Sequence, residues 1–163
     1  MSRAYLDTNF LFGLIRQADD GEGADFVDWR QRVQLELEGD PPVISGLVID
    51  ELTYRLVLAW LRDSGDSDPL TTFRRSTPGV MRRMRQHLSS LWTALDQLDA
   101  DLAPTDWSVA HLAQALMTDP GLGPRDAFHA AYAIGGRCRW IVSSDPGFDL
   151  LDRVRRLGPR FSS

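Results

Sequence analysis

The sequence contains no lysine and only one cysteine, Cys138, among its 163 residues. A single cysteine allows no disulfide within the chain and no metal site built on paired cysteines. All 18 basic side chains are therefore arginines, and the planar guanidinium group suits contacts with phosphate and carboxylate groups. These absences exclude a disulfide-stapled scaffold and a cysteine-rich metal site.

Long apolar runs are also absent. No segment approaches the roughly 20 apolar residues that a membrane-spanning helix requires, and the first residues lack the basic and apolar regions of a signal peptide. We therefore expect a cytoplasmic protein with no membrane partner. Acids outnumber bases by 23 to 18, for a formal net charge of −5. This balance argues against binding nucleic acid through bulk positive charge, although it leaves room for a local basic groove.

Short apolar stretches alternate with longer stretches that have helical periodicity, and this alternation predicts an α/β domain with a mainly parallel sheet. The predicted strands lie at 3–6, 43–45, 100–104, 139–144 and 153–157. The predicted helices lie at 8–17, 24–38, 46–61, 80–98, 105–117 and 124–136. Thr8 or Asn9 is expected to cap the first helix and Thr105 the fifth. Residues 18–23 are predicted as a turn, and 62–79 as a loop or mobile arm.

Four acids lie where predicted strands end or predicted helices begin. Asp7 and Asp145 follow strands, whereas Glu51 and Asp126 lie in the first turns of helices. Ligands of open parallel sheets bind beyond the carboxyl ends of the strands, so the four acids are expected at one edge. Taken singly, Glu51, Asp126 and Asp145 also suit helix-dipole or turn roles. Asp7 is harder to explain, because apolar residues flank it on both sides.

A cluster of four carboxylates requires compensation. Two unit charges about 4 Å apart repel by about 4 kcal/mol at an effective dielectric constant of 20. Cations or bound protons must offset that repulsion. Carboxylate oxygens suit hard cations, so the cluster points to Mg²⁺ or Mn²⁺. Such ions support in-line cleavage of phosphodiester bonds.

Four segments of the sequence together resemble the motifs of the PIN-domain ribonucleases, and most closely those of VapC-like toxins from type II toxin–antitoxin modules. The segments are "YLDTN" at 5–9, "ISGLVIDEL" at 44–52, "PRDAFHAAYA" at 124–133 and "IVSSDPGFD" at 141–149. Each motif alone is weak evidence, whereas the ordered set spans nearly the whole chain.

The resemblance implies one PIN-like domain over 1–163. The implied fold is a three-layer α/β/α sandwich around a mainly parallel sheet of about five strands. The implied activity is metal-dependent endoribonuclease activity with Mg²⁺ or Mn²⁺. The implied catalytic and metal-binding residues are Asp7, Glu51, Asp126 and Asp145. The implied supporting residues are Asn9, Ser45, Ser143 and Asp149, with Ser143 standing where the family often has threonine.

The resemblance also implies an RNA substrate, a cognate antitoxin that covers the acidic site, and a homodimer. Residues 62–90 are longer than a compact toxin of this family needs, and we interpret them as a helical or loop insertion. The arginines that could contact RNA or a partner from this insertion are Arg74, Arg75, Arg82 and Arg85. If residues 80–98 form one helix, Arg82, Arg85 and Ser89 share a face. A solvated helix face is the alternative interpretation.

Three other functions remain open at this level. The first is a PIN-like scaffold that binds RNA or protein without cutting, which the complete set of acids disfavours. The second is a phosphatase of the haloacid-dehalogenase type, which would need a second aspartate where this chain has Asn9. The third is cleavage of structured DNA, which the small size disfavours. His129 lies three residues after Asp126 and so on the same helix face. We expect it to support the site or border the core, and a catalytic base is the alternative interpretation.

Overall fold

Five parallel strands form a central sheet with the order β3-β2-β1-β4-β5. The structure is a computed structural model that describes residues 3–20 and 24–160. The strands are β1 Ala4–Leu6, β2 Val43–Ser45, β3 Asp101–Ala103, β4 Trp140–Val142 and β5 Arg155–Arg156. The parallel five-stranded sheet and its helical layers confirm the predicted α/β/α fold class.

Helices connect the strands and cover the sheet. They are α1 Thr8–Asp20, α2 Ala24–Leu37, α3 Gly46–Asp63, α4 Pro69–Arg75, α5 Thr77–Arg83, α6 Arg85–Gln97, α7 Trp107–Thr118 and α8 Pro124–Gly135. A 3₁₀ turn spans Pro146–Leu150. Within the described ranges, none of these helices has the length and apolar content that crossing a membrane would require.

The central strand β1 is buried along its whole length, because helices cover both faces of the sheet. Its neighbours align so that Leu6 lies opposite Val142 and Tyr5 lies opposite Val43. This register brings the carboxyl ends of β1, β2 and β4 to the same edge. The residue that follows β1 at that edge is Asp7.

The start of α1 differs from the prediction. The Asp7 carbonyl accepts hydrogen bonds from the N–H groups of Phe10 at 3.2 Å and Leu11 at 3.3 Å. Asp7 therefore occupies the N-terminal capping position of α1 that was predicted for Thr8 or Asn9, and Thr8 is the first helical residue. The helix also continues to Asp20, so the predictions of an end at 17 and a turn from 18 were wrong. The rest of the predicted turn, 21–23, lies outside the described residues.

The predicted cap of α7 was one residue too early. The Asp106 carboxylate accepts a hydrogen bond from the Val109 N–H at 3.0 Å, which makes Asp106 the capping residue. Thr105 instead forms a hydrogen bond through Oγ1 with the Tyr132 hydroxyl at 2.7 Å.

Residues 62–79 do not form the predicted loop, because they contain α4 and the start of α5. Asp68 caps α4 by accepting a hydrogen bond from the Thr71 N–H at 3.3 Å. Val80 and Met84 pack against Val57 and Leu61 of α3 in a small core of their own. The many Asp, Ser, Thr, Gly and Pro residues in this segment favoured the prediction of a loop. Tertiary packing nevertheless stabilises two helices there.

The helix predicted at 80–98 is interrupted. Met84 leaves the helical conformation, with φ −85° and ψ 7°, so Arg82 belongs to α5 and Arg85 begins α6. The prediction of one continuous helix over 80–98 was therefore wrong, whereas the shared face of Arg82, Arg85 and Ser89 stays a prediction; all three residues are exposed. The four arginines singled out in this region are exposed, which both a contact surface and a solvated helix face predict: Arg74, Arg75, Arg82 and Arg85.

Candidate active site

Asp7 is buried, with only 6 % of its surface exposed, at the point where β1 gives way to α1. Its Oδ1 accepts the Thr8 N–H at 2.7 Å. Its Oδ2 accepts hydrogen bonds from Asn9 Nδ2 at 2.8 Å and Ser143 Oγ at 2.7 Å. Three donors therefore offset part of the cost of burying this carboxylate and fix its orientation.

Asn9 and Ser143 connect Asp7 to the loop after β4. Asn9 Nδ2 also donates to Ser143 Oγ at 2.9 Å, and its Oδ1 accepts the Ser144 N–H at 3.2 Å. Ser143 Oγ accepts the Asp145 N–H at 3.0 Å. These bonds tie the start of α1 to the segment that carries Asp145.

Glu51 extends from the second turn of α3 toward Asp7. Its Oε2 accepts a hydrogen bond from Thr8 Oγ1 at 2.9 Å and lies 3.0 Å from His129 Nε2, while Oε1 lies 3.2 Å from Arg125 Nε. The hydrogen bond from His129 is the main cause that lowers the pKa of Glu51; Thr8 and Arg125 act in the same direction, and burial opposes them. The site therefore favours the ionised form of Glu51.

Asp126 lies half-buried in the first turn of α8. Burial is the main cause that raises its pKa, followed by repulsion from Asp145; Asp7 and Glu51 add to the repulsion, and His129 opposes it. The four predicted acids therefore share one electrostatic environment.

Asp145 follows β4 and is half-buried. Its Oδ1 accepts the Gly147 N–H at 2.7 Å, so the side chain also caps the 3₁₀ turn. Asp145 therefore stabilises a turn, as one interpretation of the sequence held, and its charge also acts on Asp126.

The most compact group of possible metal ligands within the described ranges is Asp7, Glu51 and His129, whose ligand atoms lie within 4.8 Å of one another. Asp126 and Asp145 fall outside this group, although Asp126 experiences the charges of Asp7, Glu51 and Asp145. His129 is buried and occupies a more central position than the sequence suggested. Its spacing of three residues from Asp126 was the signal for this proximity.

The two remaining supporting residues have other partners. Asp149 is exposed, and its two carboxylate oxygens accept hydrogen bonds from Arg156 at 2.8 and 2.7 Å, which lowers the pKa of Asp149. Ser45 caps α3 by accepting the Val48 N–H at 3.3 Å, and it contacts the Tyr5 hydroxyl at 2.7 Å. Ser45 therefore contacts a tyrosine and not an acid.

Sequence reasoning did not assign Thr8, Tyr5 and Arg125 to the site. Thr8 was interpreted only as a cap, yet its hydroxyl donates to Glu51. Arg125 precedes Asp126 directly and lies beside Glu51 with 76 % of its side chain exposed. Tyr5 lies on an apolar strand, and nothing in its neighbouring sequence indicates the contact with His129.

The donor set fits a divalent cation. Carboxylate oxygens of Asp7 and Glu51 converge in a mostly buried position, and Asp126 is close enough for both charges, after burial and Asp145, to raise its pKa. A cation that prefers oxygen ligands would neutralise this charge and so stabilise the arrangement.

Comparison with known proteins agrees with this arrangement. The family model described as PIN domain matches residues 4–154. VapBC2 from Rickettsia felis, solved bound to a DNA fragment from its promoter, is 16 % identical, with a TM-score of 0.60 over 97 % of this chain and 99 % of that chain. FitAcB from Neisseria gonorrhoeae is 19 % identical, with a TM-score of 0.53 over 94 % of this chain and 96 % of that chain. At these identities the two structures show a common fold.

No curated protein matches the chain. The family match nevertheless covers nearly all of the sequence, from the first residue of β1 to the residue before β5. It includes all four acids at the sheet edge. The chain therefore belongs to the PIN domain family.

Proposed function

We propose that this protein is a metal-dependent endoribonuclease that hydrolyses RNA phosphodiester bonds as the toxin of a toxin–antitoxin pair. The observation that supports this most directly is the gathering of Asp7, Glu51, Asp126 and Asp145 at one sheet edge. Burial is the main cause that raises the pKa of Asp126, and the charges of Asp145, Asp7 and Glu51 raise it further. Membership of the PIN domain family and the fold shared with VapBC2 and FitAcB support the same function.

The acids are assigned distinct roles in this proposal. Asp7 and Asp126 hold the principal Mg²⁺ or Mn²⁺, Glu51 completes its coordination directly or through water, and Asp145 holds a second ion or a ligand water. A bound ion of this kind polarises the phosphate and makes an attacking water more acidic. Asn9 and Ser143 hold Asp7 in place, and Thr8 does the same for Glu51.

Arg125 has a role of its own in this proposal. Its guanidinium lies beside Glu51 and is largely exposed, so it is placed to meet a phosphate that approaches the acids. An arginine can form two parallel hydrogen bonds with phosphate oxygens. Arg125 therefore supplies positive charge to the substrate at a site that otherwise repels polyanions.

The partners follow from the same proposal. RNA is the substrate, a cognate antitoxin covers the site, and two copies of the chain form a homodimer. Action on cellular RNA places the protein in the cytoplasm. VapBC2, whose fold this chain shares, was solved bound to a DNA fragment from its promoter, which supports a partner of the antitoxin kind.

The purified protein is expected to cleave single-stranded RNA with Mg²⁺ or Mn²⁺ and to lose this activity with EDTA. Gel analysis and sequencing of the RNA ends would measure both results. Restoring activity by adding excess Mn²⁺ to the EDTA-treated sample controls for irreversible damage. RNA binding without cleavage under every metal condition would contradict the proposal and favour the non-cutting scaffold.

Reversing the charge of two exposed arginines, by Arg82→Glu with Arg85→Glu, is expected to weaken RNA binding by roughly tenfold or more at low salt. The slope of log affinity against log salt should also decrease by about 1 for each arginine that no longer binds a phosphate. Fluorescence anisotropy with a labelled RNA would measure both. Arg153→Glu with Arg160→Glu changes the net charge equally at two exposed positions. Equally weakened binding in both variants would contradict a specific contact surface at α5 and α6.

A further inference from the structure

A buried chain of hydrogen bonds runs from the start of α3 to the acidic site. The Val48 N–H donates to Ser45 Oγ at 3.3 Å, and Ser45 Oγ lies 2.7 Å from the Tyr5 hydroxyl. Tyr5 lies 2.9 Å from His129 Nδ1, and His129 Nε2 lies 3.0 Å from Glu51 Oε2. Ser45 and Tyr5 are completely buried and His129 is 2 % exposed. The His129 imidazole therefore connects the hydroxyl groups of Ser45 and Tyr5 to the Glu51 carboxylate.

The number of hydrogens sets the direction of the chain. Ser45 and Tyr5 supply two hydroxyl hydrogens for two links, one between their oxygens and one between Tyr5 and His129 Nδ1. Both hydrogens are used if Ser45 donates to Tyr5 and Tyr5 donates to Nδ1. If Nδ1 carried a hydrogen instead, one hydroxyl hydrogen would be left over in a fully buried position, which is unfavourable.

The other end of the imidazole agrees with this direction. An Nδ1 that accepts from Tyr5 leaves the hydrogen on Nε2, and Nε2 faces Glu51 at 3.0 Å. The opposite neutral tautomer would point a lone pair at a carboxylate, which is repulsive. Burial raises the pKa of Tyr5 well above its ordinary value, so Tyr5 keeps the hydrogen that it donates.

We propose that Ser45 and Tyr5 are positioning residues that hold His129 as an Nε2–H donor to Glu51, so that His129 stays outside the metal's coordination shell. The metal part of this inference rests on the proposed function. Asp7, Glu51 and His129 lie close enough together to resemble a mixed nitrogen and oxygen site, which would suit zinc. An imidazole that donates its Nε2 hydrogen to Glu51 leaves only oxygen ligands. The site then favours Mg²⁺ or Mn²⁺ over Zn²⁺.

The tautomer can be measured directly by ¹⁵N NMR on the full-length protein. The chain has three histidines, so His87→Gln with His111→Gln leaves His129 as the only imidazole. At about pH 8.5, roughly two units above the ordinary histidine pKa, the ring should show a protonated Nε2 and an unprotonated Nδ1. This pattern should persist after Mg²⁺ is added. A protonated Nδ1, or an Nε2 that loses its hydrogen when Mg²⁺ binds, would overturn the proposal.

Tyr5→Phe removes the hydroxyl with little change in volume, and Tyr132→Phe is its matched control. Tyr132 is similarly buried, stacks on Tyr5 with ring centroids 6.3 Å apart, and bonds Thr105 at the far side. By calorimetry, Tyr5→Phe should weaken Mn²⁺ binding about tenfold. It should also raise the ratio of Zn²⁺ to Mn²⁺ affinity, because the ring is no longer held as a donor. Tyr132→Phe should change neither quantity. Equal effects from both variants would show a merely structural role and overturn the proposal.

The failure of this inference differs from the failure of the proposed function. If the wild-type protein bound no divalent cation, the proposed function would fail, and the exclusion of His129 from a metal shell would fall with it. If the protein bound Mn²⁺ and cleaved RNA while His129 carried its hydrogen on Nδ1, only the present inference would fail. The NMR measurement on metal-free protein therefore separates the two.

Discussion

Asp7→Asn is expected to reduce metal-dependent RNA cleavage by at least about 10³-fold while the protein stays folded. The substitution removes the charge of the most buried acid of the site. Metal neutralisation contributes several kcal/mol to such reactions, and each 1.36 kcal/mol corresponds to a factor of about ten in rate. Initial rates with saturating Mn²⁺ would measure the loss, and circular dichroism would confirm the fold.

The stability of the Asp7→Asn variant reflects two opposing changes. Both oxygens of Asp7 accept hydrogen bonds, from the Thr8 N–H on one side and from Asn9 and Ser143 on the other. The new NH₂ group must face one set of these donors, which is unfavourable. Repulsion with Asp126 disappears at the same time, which is favourable. We therefore expect only a small change in the thermal midpoint.

Asp50→Asn provides the matched control for this loss of activity. Asp50 is the exposed neighbour of Glu51, so the same chemical change there should leave the cleavage rate within about twofold, as for most surface substitutions. An Asp7→Asn variant that cleaves RNA as fast as the Asp50→Asn control would exclude Asp7 from the reaction.

Asp126→Asn is expected to stabilise the metal-free protein at neutral pH and to remove most of the stabilisation that Mn²⁺ gives. Burial and three neighbouring acids raise the pKa of Asp126 in the folded state. The folded protein therefore binds more protons than the unfolded chain as pH rises from the unfolded pKa to the folded one. Stability falls across that window, and the loss is fully present at pH 7. Because Asp126 is half-exposed, asparagine should recover at most about 1 kcal/mol.

With Mn²⁺ bound, the difference in stability between Asp126→Asn and the wild-type protein should be larger than without metal, and the wild-type protein should be the more stable. A cation at 100 times its dissociation constant stabilises the wild-type protein by about 2.7 kcal/mol, and the variant should lose most of this gain. Thermal midpoints of both proteins with EDTA and with Mn²⁺ would give the four values required. Asp152→Asn, at an exposed position, serves as the control. A variant that is less stable than wild type with EDTA, yet equally stabilised by Mn²⁺, would remove Asp126 from the site.

The sequence predicted the sheet edge well because its signals are local. An apolar strand that ends in Asp7 and another that ends shortly before Asp145 are recognisable without knowledge of distant residues. The same holds for Glu51 and Asp126 near helix starts. The register of β1 with β2 and β4 then brings the ends of these strands, with Asp7 and the segments that lead to Glu51 and Asp145, to one edge. Asp126 comes to the same edge from the start of α8.

The features that the sequence did not predict depend on contacts between distant segments. Val80 and Met84 stabilise short helices by packing on α3, which no local periodicity reveals. Tyr5 contacts His129 across 124 positions of sequence. A tyrosine on an apolar strand and a histidine on an apolar helix each suit a core, and only the folded structure shows that their polar atoms meet.

Helix α3 connects two regions that the sequence alone treats as separate. Its second turn carries Glu51, and its last turns hold Val57 and Leu61 against α5. An α-helix of 18 residues is about 27 Å long and bends little. A molecule that bound to α4 and α5 and shifted them would therefore also shift α3, the helix that positions the Glu51 carboxylate. Helix α3 thus couples a displacement of α4 and α5 to the position of Glu51 in the acidic site.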